Sequence, residues 1–420
     1  MLTALCGSAL GCSSDPSRAP ADVESQTVEL MTWWSQPAEL EALDALLAVH
    51  ARRHPDADVV VTLGGPYNVM KESVRQRSEE GSPPSGFQEN LGGPVVSWVN
   101  AEPAELELLT DTAELQGWAD AFPASVLDQV RWRGEIVGVP LALTRQNNVY
   151  YAKPILDQLG LALPETLAEL PAWLQTLASA GYEQPLCIGD ENSWVSAHVL
   201  FDELMPAFTG VEYHVAFWHG EQDPGDREIS EALNLMVELA PYLNSDFAEI
   251  DWAEGVGRVL DDSLPPARRC VMTPMGDWAG SHLTSLNYVP DRDFVQASFP
   301  GPDVFVLGGD AFLVPAGAPA LKATFDLIET MASLEGQEAF NAAKGSLPAR
   351  PEVSDAAFSV LARQNLDSLQ RSAVGGHKVV AAGESAMFVS LGQAARQMMI
   401  ERDASLVLDV LEEHYSSLKH

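Results

Sequence analysis

The sequence predicts an α/β protein built as two lobes, and three observations carry that expectation. The chain has 420 residues, and at about 150 residues per domain this length suggests two or three domains, or two lobes. Its hydrophobic fraction is 46%, ample for sizeable cores and too high for a disordered chain. Strand-like and helical patterns alternate repeatedly, as they do in layered α/β lobes.

The alternation opens with Val28–Trp33, a run of strand formers that Trp34-Ser35-Gln36-Pro37 turns. From about Ala38 to Arg53, Leu40, Leu43, Leu46 and Leu47 form a helical stripe, which Pro55 stops. Asp58–Leu63 is a short apolar run suited to a buried strand. A parallel pair with a right-handed crossover follows from this β-α-β opening. A polar helix over Asn68–Glu80 is broken by the Gly/Pro/Ser segment Gly81–Gly86. Glu135–Leu141 and Asn148–Ala152 read as strands separated by 142–147. Pro154–Leu159 and Thr166–Ala180 read as helices, and Leu167, Leu170, Trp173, Leu174 and Leu177 give the second one an apolar face. From about Ala320 the chain reads as mainly helical, over 320–333, 337–343, 365–371, 386–401 and 404–417.

Charge narrows the function. The chain carries 24 basic and 60 acidic residues, a net charge of −36. Nucleic acid is excluded as a partner, because neutralising phosphates needs clustered Lys and Arg. A polybasic membrane patch is excluded on the same ground. The acidity is spread along the chain and reads as a solubility or salt-tolerance property of the surface. No HExxH, GxSxG or Walker loop is present. The nine histidines are scattered, with His214 and His219 lacking a partner cluster, so neither a metal nor another cofactor is expected. No carboxylate pair is singled out for glycoside hydrolysis, and an enzyme is not the expectation.

The N-terminus reads as a sorting signal. Met1–Gly11 has no charged side chain, and Ala9-Leu10-Gly11-Cys12 resembles the lipobox of bacterial lipoproteins, in which the Cys becomes the lipid-bearing N-terminus. The expected organisation is a signal remnant over 1–12 with Cys12 lipidated, then a Ser/Pro/Ala/Asp linker over 13–26. A signal of this kind has a basic n-region, which is missing here, so a start upstream of Met1 is expected. Of the four cysteines, Cys6 and Cys12 belong to this segment. Cys187 and Cys270 then either pair, as in many exported proteins, or pack as buried thiols, with the thiols favoured by a small margin.

The tryptophans suggest the ligand. Trp33-Trp34 ends the first strand, and open α/β sheets place ligands beyond the carboxyl ends of their strands. Trp194 follows Asp190-Glu191-Asn192-Ser193, and Trp278 sits in Met275-Gly276-Asp277-Trp278-Ala279. A sugar ring offers an apolar C–H face and a rim of hydroxyls, and Trp beside Asp, Asn, Gln, Lys and Arg complements both.

With these motifs in place, the chain resembles a bacterial extracellular solute-binding protein of the ABC sugar-importer type (family 1), closest to its glucose/mannose-binding branch. The ordered matches are Trp33-Trp34-Ser35 with Glu39, Pro83-Pro84-x-x-Phe87-Gln88, Gly138-Val139-Pro140 with Arg145 and Asn147, and Pro185–Asp190 with Trp194. Met275–Ala279, Asp310-Ala311-Phe312 and the Glu338–Arg350 segment holding Lys344 complete the series. The resemblance departs at Asn90 and Thr144, where the branch has His, and in Pro84-Ser85-Gly86. Its late cleft His has no clear match, with His377 nearby and Gly383 closer in alignment. The identity of the sugar therefore stays open.

The resemblance implies a two-lobed periplasmic-binding-protein clamp with a helical C-terminal region. Lobe one is expected over 27–140 plus 306–344, and lobe two over 141–305 plus 345–420. Trp33, Trp34, Glu39, Gln88, Asp310 and Lys344 would form one cleft wall, and Arg145, Asn147, Trp194, Asp277 and Trp278 the other. It implies a monomeric receptor that captures a mono- or small oligosaccharide and delivers it to the transmembrane subunits of an ABC permease. The receptor would sit in the periplasm or at the cell surface, touching the membrane only through its lipid. The alternatives are a sensory or scaffold lipoprotein on the same fold and an exported carbohydrate-active enzyme.

Overall fold

The computed structural model describes residues 27–99, 105–376 and 385–415. The expected signal and linker over 1–26, with Cys6 and Cys12, lie outside the described residues, as do His377, Gly383 and the last residues expected in the final helix. In chain order the described strands are β1 (Thr27–Thr32), β2 (Asp58–Leu63), β3 (Gly86–Asn90), the short hairpin β4 (Arg131–Trp132) and β5 (Glu135–Ile136), β6 (Gly138–Arg145) and β7 (Asn148–Ala152). They continue as β8 (Met272–Pro274), β9 (Phe294–Ser298), β10 (Val304–Leu313), β11 (Leu347–Pro348) and β12 (Ala373–Gly376).

The opening forms as its pattern predicts, except that β2, expected to be buried, is the sheet's edge strand, with Val60 and Leu63 46% and 54% exposed. β1 and β2 pair in parallel, Thr27 opposite Asp58, across the helix Pro37–Arg53. That helix buries Leu43, Leu46 and Val49, and its half-buried Leu40 and Leu47 pack on the same core. Each such aliphatic side chain, fully buried, contributes about 1.5–3 kcal/mol. The main sheet runs β11-β6-β10-β3-β1-β2, with β12 beside β10. β10 is its spine: its first half pairs with β12, its second half with β3, and most of its length with β6.

Two differences from the sequence reading stand out in this sheet. The strand expected to stop at Leu141 continues to Arg145 and is buried throughout. Pro140 has no N–H for the ladder, and a register shift opposite Asp310/Ala311 absorbs the irregularity, so pairing resumes beyond the proline. β3 was legible only as a motif, since its polar Gln88-Glu89-Asn90 hides a strand that is almost wholly buried.

A smaller antiparallel sheet, β8-β7-β9, lies in a second core. The first core draws on Val28–Leu143 and Phe305–Ala349, and the second on Val149–Phe299 and Leu361–Tyr415. The chain thus passes between cores near 145–148 and 299–304, and Leu347 and Ala349 stay with the first core, a few residues past the boundary expected at 344. The expected apolar face Leu167, Leu170, Trp173, Leu174 and Leu177 is wholly buried in the second core, with the helix itself at Leu170–Ser179.

Cys187 and Cys270 form a disulfide, correcting the expectation of two free thiols. Their Cα atoms lie 5.6 Å apart, and both residues are fully buried in the second core. They are 83 residues apart along the chain, so the sequence held no local sign of this proximity.

Candidate functional site

A cleft of about 370 Å³ lies between the two cores. Its first wall is set by the carboxyl end of β1, the N-terminus of the helix after it, and the returning β10. Trp34 packs its indole against Phe340 and Phe312, with ring centres 5.2 and 5.9 Å away. Trp34 lines the cleft but is only 2% exposed, so its ring is chiefly a core element. Lys344 Nζ sits 4.4 Å from the centre of that ring and reaches Asp310 Oδ2 at 2.5 Å. Gln88 Nε2 donates to the other Asp310 oxygen at 2.8 Å, and Thr32 Oγ1 donates to Gln88 Oε1. The Trp34 N–H closes the series by donating to Thr32 Oγ1 at 3.1 Å. Each polar side chain of this series is thereby partnered, as a low-dielectric wall requires.

Glu39 lines the same wall. Its carboxylate accepts the Ser35 and Gln36 N–H groups, each at 3.0 Å, fixing the turn that carries Trp34 into the helix. Burial raises the Glu39 carboxyl above the usual range, against the lowering pull of the Gln36 N–H and Lys344.

The second wall is aromatic. Asp190 positions Trp194 by accepting the Trp194 and Val195 N–H groups at 2.7 Å each and Ser196 Oγ at 2.6 Å. Trp278 opens the helix Trp278–Ser285, and its ring lies 6.4 Å from that of Trp194. His198 stands 5.7 and 5.8 Å from these two rings. His198 Nδ1 lies 3.2 Å from Asp202 Oδ2 and His198 Nε2 lies 3.3 Å from Glu203 Oε1. The intervening Val199–Leu204 is a π-helical turn. Its wider turn, with i→i+5 bonding, lets residues four and five places on flank one imidazole, whereas an α-helix would bring only one of them alongside. Burial opposes charge on His198, but the Asp202 and Glu203 carboxylates prevail and lift its pKa to about 9.

The structure therefore brings Trp33, Trp34, Glu39, Trp194, Trp278, Asp310 and Lys344 together on the cleft. It places Gln88, Arg145, Asn147 and Asp277 behind the walls. Gln88 is a buried strand residue that orients Asp310. The Arg145 guanidinium binds Ser368 Oγ at 2.8 Å, Ser298 Oγ at 2.9 Å and Val304 O at 3.1 Å. Asn147 receives the Val306 N–H at 3.0 Å and donates to Val304 O at 2.7 Å. Both side chains, expected as sugar donors, instead tie together the segments that cross between the cores. Asp277 accepts the Arg145 N–H at 3.0 Å and returns its own N–H to Arg145 O at 2.9 Å. Burial raises its carboxyl to about 7.

Sequence reasoning missed His198, Asp202, Tyr67, Asp251, Trp252 and Phe388, all on the cleft. Trp252 follows Asp251, repeating the acid-beside-tryptophan pairing of Asp277-Trp278, and that was the one readable signal among them.

Known proteins bear on this geometry. The profile of a family described as bacterial extracellular solute-binding protein matches residues 52–362. An uncharacterised ABC transporter extracellular-binding protein of Pyrococcus horikoshii is 26% identical over 382 residues, covering 89% of this chain and 83% of its own. A probable sugar-binding periplasmic protein of Rhizobium meliloti is 28% identical over 364 residues, covering 85% and 84%. Among solved structures, a chitin oligosaccharide binding protein superposes with a TM-score of 0.79 at 17% identity, covering 94% of this chain and 98% of its own. The bacterial solute receptor AcbH, described as preferring β-D-galactopyranose, superposes with a TM-score of 0.78 at 16% identity, covering 94% and 97%. These likenesses show the two-lobed fold that the sequence resemblance implies.

Proposed function

The chain belongs to the bacterial extracellular solute-binding proteins, and within that family we propose that it is the receptor of an ABC importer, capturing a mono- or small oligosaccharide between its lobes and handing it to the permease. The observation that carries this reading is one cleft with a charged hydrogen-bonding wall facing an aromatic one. Trp194 and Trp278 offer a surface for the C–H face of a pyranose. Asp310 and Lys344 offer an acceptor and a donor to its hydroxyls, held by Gln88 and Trp34 from behind. Such prearranged polar groups discriminate strongly, because a missing ligand hydroxyl leaves one of them buried and unpaired.

Asp277, Arg145 and Asn147 serve this site indirectly, by holding Trp278 and the crossings between lobes. The names of relatives such as the Rhizobium meliloti protein support a sugar as the solute. A thermal-shift panel of neutral mono- and disaccharides tests the reading. A sugar at a hundred times its Kd stabilises the folded state by about 2.7 kcal/mol, so at least one should raise the melting temperature clearly. A flat response across the panel would refute it.

Lipidation at Cys12 and anchoring to a bacterial membrane complete the proposal, supported by Ala9-Leu10-Gly11-Cys12. Cys12→Ser in the full-length gene should leave the protein unprocessed or release it into the soluble fraction. Unchanged processing and membrane fractionation would remove the anchor.

A further inference from the structure

The apposition of Tyr67 and Phe388 across the cleft bears on ligand size, and it rests on the sugar-receptor reading above. Tyr67 begins the helix Tyr67–Glu79 beyond the carboxyl end of β2, and Phe388 lies in the helix Ser385–Glu401. The Tyr67 ring meets the Trp33 indole edge-on at 5.2 Å and the Phe388 ring edge-on at 6.0 Å. Trp33 packs on the first core and Phe388 belongs to the second, while Tyr67, carried by a helix of the first lobe, packs on the second core. The three rings thus span the gap between the lobes, and all three line the cleft.

The middle ring is pinned from behind. Lys71 Nζ donates to the Tyr67 hydroxyl at 3.2 Å and lies 3.4 Å from Glu89 Oε2. Glu89 also accepts the Trp98 indole N–H at 2.7 Å. Lys71 and Glu89 are both buried, so moving Tyr67 aside would disturb a desolvated ion pair. On the other side, Phe388 is held in the second core at 8% exposure. A cleft of about 370 Å³ lies at the small end of the roughly 300–1,000 Å³ typical of ligand pockets. A glycan growing past these rings would have to force apart a pair of well-anchored aromatics, whereas a short sugar leaves their contact intact.

We propose that Tyr67 and Phe388 form an aromatic end wall that limits the ligand to one or two sugar rings. Truncating Phe388 opens that side and bares the Tyr67 ring as a stacking surface for a further pyranose.

Titration calorimetry on the full chain tests this, with a panel of hexoses and pentoses, the disaccharide maltose, and the trisaccharides raffinose and maltotriose. Wild type should bind its preferred short sugar well and the trisaccharides weakly or not at all. Phe388→Ala should raise the ratio of trisaccharide to short-sugar affinity by at least about tenfold, the scale at which pocket contacts discriminate. Phe388→Leu keeps more of the core filled and should move the ratio the same way, so the test survives poor folding of the alanine variant. A wild type that binds a trisaccharide as tightly as a short sugar overturns the end wall and leaves the sugar reading standing. Folded variants with an unchanged ratio overturn it too. Absence of any sugar binding by wild type overturns the receptor reading and this inference together.

Discussion

Lys344 Nζ lies 2.5 Å from Asp310 Oδ2 and 4.4 Å from the centre of the Trp34 ring, with the Lys344 and Asp310 side chains 4% and 8% exposed. A lysine so placed joins three functions. It neutralises a carboxylate in the wall, caps an indole through a cation–π contact, and lines the cleft as a donor. The pair is therefore both structural and available to a ligand.

Lys344→Met should abolish sugar binding and destabilise the fold by about 3–5 kcal/mol, because the Asp310 charge is left buried without its partner. Adding Asp310→Asn to that variant should restore some of the stability but none of the binding. Urea denaturation and calorimetry read the two effects separately. Additive stability losses would mean that the two residues do not act as a pair.

Gly276→Ala should weaken binding much as Trp278→Ala does. A Cβ at Gly276 would run into the Trp278 ring, which must then leave its place beside Trp194 and His198. Aromatic contact beyond area burial contributes about 0.5–1.5 kcal/mol, so a loss in affinity of at least several-fold is expected from either variant by calorimetry. Wild-type affinity in both would take Trp278 out of the site.

The contrast between these two walls shows how far the sequence could be read. Trp33-Trp34 was readable because it ends the first strand of a local β-α-β opening, whereas Asp310 and Lys344 were reached only through the motif positions of the family resemblance. Arg145 and Asn147 occupied matching motif positions, yet spacing along a chain does not say where a long side chain turns. Here both turn toward Val304 and the crossing segments, away from the cleft. His198 escaped notice because its second partner depends on a π-helical turn: Asp202 at four places on fits an α-helix, but Glu203 at five places on does not. The Cys187–Cys270 bridge and the Tyr67–Phe388 contact join distant segments, and only the folded chain reveals them.

His198 gives the stability a pH dependence with a definite sign. Its pKa rises from 6.5 to about 9 in the folded chain, since the hydrogen bonds and charges of Asp202 and Glu203 outweigh the opposing effect of burial. The folded state therefore holds the proton more tightly than the unfolded state. The resulting stabilisation is present below the unfolded value and is lost as pH rises through about 9. Thermal melts of wild type and His198→Gln from about pH 6 to 10 should show a gap in favour of wild type that shrinks toward the alkaline end. A gap constant across that range would show that His198 is neutral in the fold.

Capture between two lobes is tested most directly by small-angle scattering on the protein with and without a saturating sugar. Arg145 and Asn147 tie the crossing segments at 145–148 and 299–304, and a ligand touching Lys344 on one side and Trp278 on the other favours the closed arrangement by its differential affinity. The sugar should reduce the radius of gyration and shorten the inter-lobe distance. The same radius and the same distance with the site fully occupied would contradict a clamp and indicate a rigid scaffold.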